Sequence, residues 1–210
     1  MRTPERLQTT QPLLEARGIS FAFLRRTVLR GASLSVAGGT ITGVVGENGS
    51  GKTTLLRILA GLTAPDVGEV NVVGRIGYCP QDTELFQLLT VREHLRLFAS
   101  ALEIPAWEAE AEQLATRLAL RPYLDTLVRN ASGGTRQKLN LALALLGDPD
   151  VLLLDEPYAA FDWQTYEAFW ELAAELRKRG KAVLLVSHLV HDRKRVDQLW
   201  ELSDGVIRCA

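Results

Sequence analysis

Cysteine is scarce in this chain: Cys79 and Cys209 are the two among 210 residues. Two thiols cannot build a disulfide framework, which points to a reducing compartment. Long apolar segments are missing as well. No run approaches the roughly 18–20 residues needed to cross a bilayer, and the longest, Leu141–Leu146 and Val151–Leu154, suit buried elements of a soluble protein. The residues from Met1 to Pro12 lack the apolar stretch of a secretory signal and read as a polar or disordered tail over 1–12. Work at a membrane would need another component to hold the chain there. Neither sign of charge dominates, since 24 Lys+Arg stand against 25 Asp+Glu for a formal net charge of −1. That balance gives no reason to expect nucleic acid as a partner. The locally basic run Arg193-Lys194-Arg195 reads as a solvated helix face. Internal repeats and low-complexity tracts are absent from the sequence.

What is present is an alternation of strands and helices, over a length that fits one domain with a sizeable core. Strands are expected at Leu13–Arg17, Val28–Val36 and Thr40–Val45, followed by a helix over Lys52–Ala60. Val70–Val73 and Arg75–Cys79 read as two short strands turning at Gly74. The middle is helical, with Val91–Leu102, Trp107–Leu120 and a third helix from Ser132 whose Leu139–Leu146 stretch is apolar nearly all round. Buried strands return at Val151–Leu154 and Ala182–Val186, around an amphipathic helix over Trp163–Arg179. Leu199–Leu202 and Val206–Arg208 close the chain. The expected fold is therefore α/β with a mostly parallel sheet, in one domain over 13–210. The block at about 82–146 reads as an inserted helical subdomain.

The segment Gly46-Glu47-Asn48-Gly49-Ser50-Gly51-Lys52-Thr53 matches the phosphate-loop pattern G-x-x-x-x-G-K-S/T in full, and it lies between a strand and a helix. Glycines let the backbone bend so that successive N–H groups point at phosphate oxygens, and the new helix adds the positive end of its dipole. Lys52 reaches the β- and γ-phosphates, and the Thr53 hydroxyl can join Mg²⁺. Gly46, Asn48, Gly49, Ser50, Gly51, Lys52, Thr53 and Thr54 are the expected nucleotide contacts, with ATP and Mg²⁺ as the expected ligands.

Val151-Leu152-Leu153-Leu154-Asp155-Glu156-Pro157 places two acids at the tip of a buried strand, where open parallel sheets bind ligands. Asp155 is positioned to hold Mg²⁺, and Glu156 to polarise the water that attacks the γ-phosphate.

Asn130-Ala131-Ser132-Gly133-Gly134-Thr135-Arg136-Gln137-Lys138 resembles the signature segment of ABC ATPases, usually Leu-Ser-Gly-Gly-Gln. The resemblance covers the whole chain, since other landmarks follow in family order. Phe23 takes the place of the aromatic that stacks on adenine, and Gln81 resembles the Q-loop glutamine, which also reaches the metal. Asp162 resembles the D-loop aspartate at the dimer interface, and His188 resembles the switch histidine that senses the γ-phosphate. The resemblance implies a P-loop NTPase core with an N-terminal antiparallel β subdomain and the helical signature subdomain. It assigns Glu156, His188 and Lys52 to catalysis. Ser132, Gly133 and Gly134 open a helix with a hydroxyl cap and two open N–H groups, a second anion site. In the family, that site serves the nucleotide of a second copy, so a head-to-tail homodimer enclosing two ATP molecules is implied. Two residues depart from the pattern: Ala131 replaces Leu and Thr135 replaces Gln.

The stretch from Tyr78 through Thr90-Val91-Arg92-Glu93-His94-Leu95 resembles ATP-binding subunits of ABC exporters, whose membrane permease is often a separate chain. Gln81–Leu89 would then receive a coupling helix from that permease, with Leu85, Phe86, Leu88 and Leu89 as its apolar groove. This implies a cytoplasmic location, peripheral on the inner face of the cell membrane. The alternative is a soluble ABC ATPase for repair, translation or assembly, some of which share a shortened hairpin like that read at Glu69–Cys79. A regulatory domain that binds without turnover is disfavoured by Glu156.

Overall fold

The computed structural model describes residues 12–24, 26–82, 85–187 and 190–210, with the side chains of 190–192 set aside. Two sheets carry the architecture. Strands β1 (Pro12–Phe23), β2 (Arg26–Ala37) and β4 (Val67–Val72) form an antiparallel sheet in the order β2-β1-β4. Strands β3 (Thr40–Val45), β5 (Ile76–Cys79), β6 (Val151–Asp155), β7 (Ala182–Ser187), β8 (Gln198–Ser203) and β9 (Val206–Cys209) form the second, ordered β5-β6-β7-β3-β8-β9. All pairs in it are parallel except β8 with β9. The expected α/β class with a mostly parallel sheet and an N-terminal antiparallel layer is what the chain adopts. Residues 151–155 and 182–187 are buried throughout, as strands covered on both faces must be.

Helix α1 (Lys52–Leu59) follows β3, and helices α2 (Val91–Ala101), α3 (Trp107–Arg117) and α4 (Gly133–Leu145) come from the middle of the chain. Helix α5 (Trp163–Lys178) joins β6 to β7 and ends where Gly180 takes φ +81°. Thr90 begins α2 with a complete capping box, its hydroxyl accepting the Glu93 N–H while Glu93 reaches back to the Thr90 N–H. The helical block does not keep a core of its own. One apolar cluster runs from Leu95 and Leu118 through Leu141 to Leu152, Leu154 and Phe169, so α2–α4 pack on the same mass as the parallel sheet. A second cluster, containing Leu14, Leu34, Leu55, Leu153 and Leu184, joins the antiparallel sheet to α1 and the other face of the parallel one.

Four expectations need correction. The strands near Gly74 are not a hairpin: β4 pairs with β1, whereas β5 pairs with β6 in the other sheet. Gly74, at φ +92°, is a crossing point between sheets, and a Cβ there would lie 2.2 Å from the Asp150 carboxylate. The first strand runs on to Phe23 because Arg17-Gly18 is a bulge rather than an end. Gly18 adopts φ +61° and its N–H donates to Ser33 Oγ at 2.9 Å, after which pairing with β2 resumes. In the basic run, Arg195 is half-buried: it pairs with Glu167 at 2.6 Å and lies over the Tyr166 and Trp170 rings. Of the expected tail, residues 1–11 lie outside the described residues, and Pro12 already belongs to β1.

Backbone of two layers comes close at Gly77 in β5, where a Cβ would sit 1.9 Å from the Ala144 carbonyl oxygen of α4. Gly77→Ala must push the two apart, and overpacking of this kind destabilises by about 1–3 kcal/mol. Urea denaturation should show that loss; an unchanged midpoint would mean that β5 and α4 are not held this tightly.

Candidate nucleotide site

Because β3, β6 and β7 run parallel, their carboxyl ends reach one edge. Val45 pairs with Ser187, and Asp155 pairs with Val186. The loop after β3 and the acids after β6 are thus two strands apart, about 10 Å by strand spacing. Cys79 of β5 pairs with Leu154 and delivers Gln81 to the same edge. Three of the segments singled out in the sequence, the phosphate loop, the acid pair and Gln81, are brought to this edge by strand topology. His188 itself lies outside the described residues.

The loop has the form that phosphate requires. Gly49 and Gly51 adopt φ +78° and +105°, and a Cβ on Gly46 would meet the Leu202 carbonyl oxygen at 2.3 Å. The Ser50 N–H donates to the Glu47 carbonyl at 3.2 Å, closing the turn. Ser50 Oγ is buried and has no hydrogen-bond partner among the described residues. Lys52 is 6% exposed, and its Nζ donates to the carbonyls of Gly46 and Glu47 at 2.7 and 2.9 Å. Burial pushes its ammonium below the ordinary lysine value, while the Glu156 and Asp155 charges pull the other way. Asn48 and Thr53 are exposed, and Thr54 is half-buried.

Asp155 and Glu156 are 1% and 7% exposed. Glu156 holds φ +48°, uncommon for a residue with a Cβ, and its N–H is anchored on the Val186 carbonyl at 3.1 Å. Two carboxylates therefore sit in a dry strand tip facing a buried cation. A glycine cradle, a buried ammonium, an inward hydroxyl and buried acids fit a nucleoside triphosphate with its divalent metal. Cys79, next to this edge, is buried, and burial, then the Asp155 charge, pushes its thiol well up.

The other expected residues are distributed as follows. Phe23 is 67% exposed at the end of β1. Gln81 is exposed. Ser132 is the N-cap of α4, its Oγ accepting the Thr135 N–H at 3.1 Å. Nothing lies within 4 Å of a Cβ built on Gly133, whereas Gly134 would meet the Ala160 carbonyl at 2.9 Å. Asp162 caps α5 through the Thr165 N–H and pairs with Lys138 at 3.4 Å. The apolar quartet divides: Leu85 is core at 8% exposure, whereas Phe86 and Leu88 are open at 58% and 71%. Leu89 is half-buried.

Sequence reasoning missed the polar residues that place the signature helix. Gln137 Nε2 donates to the Pro157 carbonyl at 3.4 Å, and Asn140 Nδ2 donates to the Pro80 carbonyl at 2.7 Å. With Lys138 on Asp162, α4 is tied to the segments after the acids, before Gln81 and at Asp162. The available signal was that Gln137 and Asn140 are polar where the helix turns into its buried, apolar half. His94 was missed too. It is fully buried, with Nδ1 donating to the Thr90 carbonyl and Nε2 accepting the Phe86 N–H, each at 2.9 Å. It pins the loop that exposes Phe86 and Leu88.

Lys52→Ala removes the cation from this cradle. With hydrogen bonds to charged groups contributing about 1.5–3 kcal/mol, ATP affinity should fall by roughly a hundredfold. Isothermal titration measures it, and undiminished affinity would remove Lys52 from the site.

A sequence profile of the ABC transporter family matches residues 29–159, from β2 through the acid pair. Nod factor export ATP-binding protein I of Ralstonia nicotianae is 35% identical over 209 residues, covering 92% of this chain and 65% of its own length. Its namesake in Burkholderia lata is 35% identical over 207 residues, covering 91% and 68%. ATP-binding cassette sub-family A member 9 of Mus musculus is 37% identical over 199 residues, 87% of this chain but 12% of that one. The chain therefore spans about two thirds of the bacterial relatives' length and a small part of the mammalian one. Among solved structures, an ATP binding subunit of an ABC transporter superposes with TM-score 0.87 at 27% identity, covering 94% and 89%. A dimeric cassette bound to ADP and Pi superposes at 0.88 over 94% and 97%, and at 24% identity it speaks for the fold. With more than half its length matched by the profile, the chain belongs to the ABC transporter family and is an ATP-binding cassette of it.

Proposed function

We propose that this chain is the ATP-hydrolysing subunit of an exporter, working as a head-to-tail homodimer beneath permease subunits on a separate chain. The observation that carries the reading is the presence on one chain of two phosphate-seeking helix starts, at Lys52 and at Ser132, the first beside a buried acid pair. Phe23 offers its open ring to adenine, and the N–H groups of 46–54 surround the phosphates. Lys52 leaves its loop carbonyls for the β- and γ-phosphate oxygens. Thr53, Asp155 and Gln81 are the residues that would hold Mg²⁺. When bound, the metal neutralises charge on the phosphate oxygens.

Glu156 orients water in line with the γ-phosphorus and takes its proton, so that the new P–O bond forms as the bond to ADP breaks. Its fixed backbone keeps the carboxylate from turning away. His188 would contact the departing phosphate. Ser132, Gly133 and Gly134 of the second copy complete the cage, with Asp162 at the interface. Loss of the γ-phosphate removes what joins the two copies, which reopens the pair.

Export is supported by the names of the relatives, which are Nod factor export ATP-binding proteins. The exposure of Phe86 and Leu88, held out by His94, supports a docking point for a permease, which would hold the subunit on the inner face of the membrane. The soluble alternative loses its structural support, since the hairpin it leaned on is two strands of different sheets.

Glu156→Gln should keep ATP binding, reduce turnover by about 10²–10⁴-fold, and leave an ATP-dependent dimer stable enough for gel filtration. Normal turnover would remove Glu156 from its role. Ser132→Arg should bind ATP as a single subunit yet lose cooperative hydrolysis, and full activity would argue against the trans site. Purification from native membranes should bring a membrane protein with the subunit; recovery of the subunit alone would favour the soluble reading.

A further inference from the structure

We propose that Thr135, the residue by which this signature departs from Gln, is a positioning residue that aims the Ser132 hydroxyl at the nucleotide held by the second copy. The inference rests on the trans-site reading above and adds a residue to it. Ser132 is exposed, and Thr135 beneath it is buried at 5% exposure. Two contacts join them: the Thr135 N–H donates to Ser132 Oγ at 3.1 Å, and the two hydroxyl oxygens are 2.9 Å apart.

A serine hydroxyl has one hydrogen to donate and two lone pairs to accept with. The Thr135 N–H occupies one lone pair. When the Thr135 O–H donates as well, it occupies the second, and Ser132 retains only its outward O–H. The hydroxyl is then a committed donor facing whatever approaches the helix start. The opposite direction, Ser132 donating to Thr135, satisfies the pair when no anion is near. A phosphate oxygen selects the outward direction, because only there does a hydrogen face it. The resulting chain, Thr135 O–H to Ser132 O–H to phosphate, strengthens each link by polarisation. Glutamine, which usually stands at this position, has no hydroxyl to supply that second donor at the length of a threonine. A β-branched side chain packed under the first turn also has few rotamers in which to stray.

The test uses the full chain carrying Glu156→Gln, with ATP-dependent pairing measured by sedimentation equilibrium. Thr135→Val should leave ATP binding by the single subunit unchanged and weaken pairing by about three- to tenfold per site, the worth of one ordinary hydrogen bond. Thr135→Ser should restore pairing, and Thr135→Ala should repeat the valine result if the valine variant does not fold. Added to Ser132→Ala, Thr135→Val should have no further effect, since its action passes through that hydroxyl. Unchanged pairing in Thr135→Val would overturn the proposal, as would an equal loss in the Ser132→Ala background, which would make Thr135 a packing residue. If Ser132→Ala alone pairs normally, the trans site itself falls and this proposal with it.

Discussion

A helix begins with N–H groups that its own backbone cannot satisfy, and the arrangement of this chain depends on where two such beginnings are placed. At Lys52 the start of α1 lies at the carboxyl edge of a parallel sheet, beside acids that are 1% and 7% exposed. Parallel pairing makes that coincidence obligatory, because every strand running the same way ends on the same side. Attraction to the buried Lys52 charge offsets part of the cost of holding two carboxylates out of water, although burial weighs more on the lysine itself than that attraction does. A phosphate entering this edge would find donors, a cation and a buried acid pair already in position.

The second beginning, at Ser132, is held by a different device. Helix α4 is polar in its first half and apolar from Leu141 on, and three of its polar side chains act as ties. Gln137, Lys138 and Asn140 reach Pro157, Asp162 and Pro80. Each of those positions adjoins a segment singled out for the site, so polar ties join the signature helix to the sheet edge in addition to its packing on β5. The exposed pair Phe86 and Leu88 is held by a separate tie, since His94 fastens their loop to the helix that follows Thr90.

Much of this was readable beforehand, for reasons that differ by residue. The phosphate loop, the acid pair and Ser132 announce themselves because their chemistry needs particular residue types at fixed spacing. Buried strands such as 151–155 announce themselves by uninterrupted apolar runs. Pairing partners do not. Val70–Val73 and Arg75–Cys79 look like a hairpin locally, but membership in two sheets is decided by contacts with β1 and β6 far away in sequence. Gly18 hides the continuation of β1 because a bulge and a strand end share the same signal. Tertiary ties such as Asn140 to Pro80 leave no local trace beyond a polar residue at a buried position. Arg195 misleads in the same way, since a cation lying over aromatic rings reads like any surface charge.

The central claim is that one triphosphate is held by the loop of one copy and the signature of another, and mixed pairs test it most directly. Two versions of the chain, both carrying Glu156→Gln, would be prepared, one with Lys52→Ala and the other with Ser132→Arg. Neither can form an intact composite site with itself. A mixed head-to-tail pair has one, built from the unaltered loop of the second version and the unaltered signature of the first. The account predicts that the mixture retains radiolabelled ATP through gel filtration at the dimer position while each version alone does not. Retention by either version alone, or none by the mixture, would contradict it.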